Sequence, residues 1–110
     1  MSLTSVNLDN FEQEVLNSDV PVLVDFYANW CGPCKLTMGH VSAMLSERTD
    51  NLKVVKIDVD ESGELAEKYA VKGIPTLILF QNGQPANTRL SGFQDKGKLQ
   101  RYVDGVLGNT

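Results

Sequence analysis

V-P-V-L-V-D-F-Y-A, residues 20–28, is followed after Asn29 by W-C-G-P-C, residues 30–34. The first stretch is nearly unbroken hydrophobicity, rich in β-branched and aromatic side chains, and reads as a central strand covered on both faces. Pro21 belongs near its start, where a missing ladder donor does least harm. Beyond Pro33, the residues Cys34, Met38, Val41 and Leu45 fall on one helical face. Pro33 suits the first turn of that helix, where its missing N–H would be unpaired in any case. A buried strand therefore passes through a tight cysteine loop into a helix ending near Arg48.

Working outward, the segment before the strand predicts a helix over Leu8–Asn17, preceded by a short strand. Asn7 can cap it, Asp9 suits its positive end, and Val6 can staple onto Phe11. After the cysteine helix, Lys53–Val59 alternates and reads as a strand with Val55 and Ile57 on one face and Lys56 on the other. Asp60 or Ser62 can cap a short helix carrying Leu65, Ala66 and Tyr69. Leu77–Phe80 is a short buried strand, the Asn82-Gly83 pair favours a tight hairpin turn, and Thr88–Leu90 is the returning strand. Asp95 then caps a last helix striped by Leu99, Tyr102, Val103, Val106 and Leu107. Alternating strands and helices followed by a hairpin imply an α/β fold, a central mixed sheet of four to five strands flanked by about four helices.

The 110 residues fit one domain, 1–110, without an evident linker or repeat. With 42% hydrophobic and 22% charged residues the chain is too apolar for disorder. It is large enough to bury a core without staples, which frees both cysteines for chemistry. A net charge of −4, with lysines scattered among acids, makes nucleic acid and anionic membranes poor partners. The polar residues 1–10 lack signal-peptide character and the apolar runs are too short to span a membrane, so the expected location is a reducing cytoplasm.

Cys31 and Cys34 flank Gly-Pro at a helix mouth, where unpaired N–H groups and the helix dipole favour a thiolate. A structural zinc site needs about four ligands, and the chain offers two Cys and the single His40. A structural disulfide across three residues would constrain little of the unfolded chain. Redox chemistry remains, with Cys31 as the exposed nucleophile and Cys34, one turn in, as the shielded resolving thiol. Gly32 permits the tight turn and Pro33 stiffens the helix start.

Asp25 interrupts the apolar run, and a lone buried carboxylate is costly unless partnered or protonated. It is either satisfied by its surroundings or a general base with a raised pKa behind the cysteine loop. Lys56 is either an ordinary exposed lysine or reaches that carboxylate from the neighbouring strand.

Val24–Lys35 (V-D-F-Y-A-N-W-C-G-P-C-K), Lys68–Thr76 (K-Y-A-V-K-G-I-P-T), Phe80–Gly83 and Gly92 together resemble the thioredoxin family over essentially the whole chain. The resemblance implies the thioredoxin fold and a protein-disulfide reductase. In it Cys31 attacks a client disulfide, Cys34 releases the reduced client, and Asp25, tuned by Lys56, assists proton removal from Cys34. It implies a cis Pro75, and a shallow client groove lined by Trp30, Gly73, Ile74, Pro75 and Gly92. It further implies a monomer that binds neither metal nor cofactor. Reset would come from thioredoxin reductase, so NADPH and FAD enter only through that partner. A disulfide isomerase or oxidase is the nearest rival, and a binding module without turnover the rival from another class. Tyr27 stands where relatives often have Trp, and Asn29 where an acid is common. Gly39 occupies the place of a helix-kinking Pro. His40, beside it, reads most simply as a surface residue and otherwise as a titrating group near the cysteine helix.

Overall fold

A computed structural model describes residues 3–108. Its sheet is mixed. β2 (Val22–Tyr27) lies between β3 (Lys53–Asp58), parallel to it, and β4 (Thr76–Gln81), antiparallel to it. β1 (Thr4–Ser5) extends the β3 edge in parallel, and β5 (Gln84–Pro85) and β6 (Leu90–Ser91) both pair with β4. β2 is buried from Val22 to Phe26, as its continuous apolar run requires of a strand with helices on both sides.

α1 (Gly32–Glu47) and α3 (Lys96–Leu107) pack together on one face. Beneath them lie Leu23, Val41, Met44, Leu77, Leu79, Leu99 and Val103. α2 (Gly63–Lys68) and a π-helical segment, Glu12–Leu16, cover the other face over Phe11, Val15, Val24, Phe26, Ile57, Leu65 and Phe80. α1 continues unbroken through Gly39 and His40. Its buried stripe is Cys34, Thr37, Val41 and Met44, with Met38 and Leu45 half-buried at its margin.

Three expectations shift. The first helix is shorter than Leu8–Asn17: residues 8–10 form turns, stabilised by the Asn7 side chain accepting from the Asp9 N–H at 2.9 Å, and Leu8 is exposed. The return from the hairpin is two short strands rather than Thr88–Leu90, and they bring the sheet to six members. Pro85 has no ladder donor to offer, and the strand leaves the sheet just beyond it, where the Ala86 N–H still reaches the Leu79 carbonyl at 2.8 Å. Ser62 precedes α2 without a side-chain cap, and its hydroxyl has no partner among the described residues. The other termini follow the sequence, including Asp95, whose carboxylate accepts from the Lys98 N–H at 2.9 Å. No described helix is long and apolar enough to cross a membrane.

Candidate active site

β2 ends at Tyr27, and Cys31 forms the N-cap of α1. This brings the cysteine loop to the C-terminal end of the central strands, against the segment that precedes β4. Cys31 and Cys34 are joined as a disulfide with a Cα–Cα distance of 5.3 Å. Pro33 lies in the first turn of α1. The Cys34 N–H donates to Cys31 Sγ at 3.2 Å, so one of the unpaired donors of the helix start is spent on that sulfur. Both sulfurs are more enclosed than the sequence suggests: Cys31 is 5% exposed and Cys34 1%. Ala28 is buried with them, and Tyr27, Val59 and Ile74 pack around the three. The expectation of an exposed Cys31 therefore does not hold, because its neighbours pack over it.

The Ile74–Pro75 peptide is cis, and the Ile74 carbonyl oxygen lies 4.0 Å from Cys31 Sγ. The Gly92 N–H, from a residue at φ +82°, donates to the Pro75 carbonyl at 2.8 Å. Gly92 therefore sits beside Pro75. Trp30 is 71% exposed, and its indole N–H is held by Asp60 at 2.8 Å. Between Trp30 and Gly73–Ile74 opens a hollow of about 190 Å³, whose apolar floor is Val59, Ala66 and Val71. Neither Asp60 nor this floor was legible in the sequence, because the groove joins three separate chain segments.

Asp25 lies on the sheet face that α1 covers, sharing that face with Leu23. It is fully buried, and neither carboxylate oxygen has a hydrogen-bond partner among the described residues. Burial pushes its pKa up to about 7, with Lys56 pulling the other way. Lys56 is its direct register partner on β3 and is half-buried. Its ammonium rests 5.6 Å from the centre of the Tyr27 ring. No described residue therefore satisfies the Asp25 carboxylate.

A mixed sheet that presents a cysteine pair at a helix mouth, beside a cis-proline loop, defines a protein dithiol–disulfide oxidoreductase. The thioredoxin family model matches residues 2–105. A thioredoxin of Porphyra purpurea is 44% identical over 97% of this chain and 99% of its own. A thioredoxin of Rickettsia prowazekii is 38% identical over 93% of this chain and 96% of its own. The bifunctional thioredoxin reductase/thioredoxin of Mycobacterium leprae is 45% identical over 91% of this chain, a match covering 22% of that longer protein. The chain belongs to the thioredoxin family, and its chemistry is disulfide reduction.

Proposed function

We propose that this chain, acting as one monomeric domain in the cytoplasm, reduces client disulfides by two ordered exchanges at Cys31 and Cys34. The observation that carries the reading is the Cys34 N–H directed at Cys31 Sγ, since it favours negative charge on that one sulfur. In the first exchange the Cys31 thiolate attacks one client sulfur. A Cys31–client disulfide forms, the client S–S bond breaks, and the other client sulfur leaves and takes a proton. In the second, Cys34 loses its proton to Asp25 and attacks Cys31 Sγ. The Cys31–Cys34 bond forms and the second client thiol departs. Two electrons pass from the cysteine pair to the client, and the protons balance with them.

Asp25 suits the acceptor role because its carboxylate is buried, unpartnered and titrates near neutrality. Lys56 limits how far burial raises it. Gly32 and Pro33 set the loop geometry, while Trp30, Gly73, Ile74, Pro75 and Gly92 take an extended client segment. The two exchanges themselves call for no metal or bound cofactor. Thioredoxin reductase, using NADPH and FAD, resets the disulfide; the fused relative, whose name joins the two activities in one chain, supports that pairing.

Incubation of the oxidised protein with NADPH, a thioredoxin reductase and insulin tests the whole reading. NADPH consumption coupled to insulin reduction is expected, abolished by Ser at either cysteine. Binding of clients that survives Ser at both cysteines, without turnover, would make the chain a binding module instead.

A further inference from the structure

His40 lies outside the chemistry just described, on α1. Three residues from Thr37, it shares that residue's side of the helix. Thr37 Oγ1 accepts the Gln94 N–H at 3.1 Å and His40 Nδ1 accepts the Lys96 N–H at 3.1 Å. Lys96 opens α3, so its N–H is one that no helix carbonyl can satisfy. The Gln94 side-chain amide in turn donates to the carbonyls of Ser91 at 3.0 Å and Gly92 at 3.2 Å. Gly92 is tied to Pro75. The Phe93 ring, exposed at its outer face, meets the His40 ring edge-on with centroids 5.5 Å apart. An unbroken series of bonds thus runs from His40 through residues 91–96 to the loop facing the sulfurs.

We infer that His40 is a positioning residue of the client groove, whose ring nitrogen holds the 91–96 loop in place and with it the groove wall at Gly92. The inference rests on the groove reading under Proposed function. An imidazole accepting at Nδ1 carries its proton on Nε2, so its one ring lone pair is spent on the Lys96 N–H. The Lys96 ammonium adds a second tie, to Glu47 of α1. Without the ring acceptor, only that exposed ion pair and the Thr37–Gln94 bond, among the described residues, hold this loop to α1. Gly39, exposed and with open space at its Cβ position, leaves this stretch of helix regular, so that His40 faces the loop.

Single-turnover reduction by the pre-reduced protein, followed by the fluorescence of its only tryptophan, Trp30, tests this. One substrate is a soluble disulfide-linked peptide dimer. The other is DTNB, too small to need the groove. His40→Ala is expected to raise half-saturation by the peptide roughly three- to tenfold, the scale of one lost hydrogen bond, while its DTNB rate follows the parent. His40→Asn keeps an acceptor and should recover most of the parental value. Parental half-saturation in His40→Ala, or no recovery in His40→Asn, overturns the inference. Gly92→Asn, compatible with positive φ, tests the groove separately. If it weakens peptide half-saturation while His40→Ala does not, only the role of His40 falls. If it has no effect, the groove reading falls and the inference with it.

Discussion

The backbone N–H of Cys34 points at Cys31 Sγ across 3.2 Å, so each cysteine is built into the environment of the other. The bond favours charge on Cys31 whenever the disulfide is open, and it survives any change of the Cys34 side chain because the donor is backbone. Cys34 is also the more enclosed of the two. Iodoacetamide applied to the reduced protein at neutral pH is therefore expected to modify Cys31 first, by about tenfold or more in rate. Peptide mapping reads the ratio, and faster labelling of Cys34 would reverse the proposed order of attack.

Cys34→Ser keeps that N–H and removes only the resolving thiol. Mixed disulfides on Cys31 should then accumulate with clients and resist everything short of added reductant. Cys31→Ser should accumulate few, since the remaining sulfur belongs to the more deeply buried of the two cysteines. Non-reducing electrophoresis of the two variants, side by side, decides; equal trapping would rule out the ordered sequence.

What the sequence reveals and what it hides divide along the range of the interactions. The identity of β2 and the cysteine helix is local: an apolar run, a Pro in the first turn and a repeating face suffice. Asp95 and Lys98 form a cap within three residues, and it is equally plain. The groove is not local. Asp60 holds Trp30 from thirty residues away, and Thr37 and His40 anchor a loop more than fifty residues on. No spacing in one sequence marks such pairs. Lys56 shows the intermediate case. Alternation sets it on the face away from Val55 and Ile57, but only the β2–β3 register puts it beside Asp25, and no periodicity encodes its place over the Tyr27 ring. The shortened first helix has a further cause, because the Asn7 side chain offers the backbone a turn in place of a helical start.

The hairpin after β4 turns on Asn82 and Gly83, both at positive φ. A Cβ on Gly83 would lie 2.9 Å from the Leu16 carbonyl oxygen, a backbone atom that cannot step aside without moving the π-helical segment. Gly83→Ala thus combines an unfavourable backbone conformation with a collision. A loss of about 1–3 kcal/mol is expected, seen as a lower urea midpoint with an unchanged slope. An unaltered midpoint would mean that the turn relaxes freely.

Asp25 makes stability depend on pH in a direction opposite to that of a salt-bridged carboxylate. Its pKa rises from 3.8 to about 7 on folding. Below about pH 4 the group is neutral in both states and burial carries no charge penalty. Between about pH 4 and pH 7 the unfolded chain has given up the proton and the folded one has kept it, so stability falls as pH rises. Above about pH 7 both are ionised and the loss levels off, at up to about 4 kcal/mol for a shift of this size. Asp25→Asn cannot ionise. Its stability relative to the parent should therefore improve progressively from pH 4 to pH 8, even though the buried amide carries its own unpaired donors. The same variant should reduce insulin about tenfold more slowly at neutral pH, through loss of the proposed proton acceptor. Lys56→Met supplies the opposing arm: without the ammonium the folded-state titration moves upward, so the stability loss still begins near pH 4 but runs on to higher pH and grows larger. Urea unfolding across this range, together with insulin reduction at one neutral pH, separates the two roles. A pH-independent stability difference would mean that Asp25 is satisfied in the fold, and an unchanged rate would make it structural.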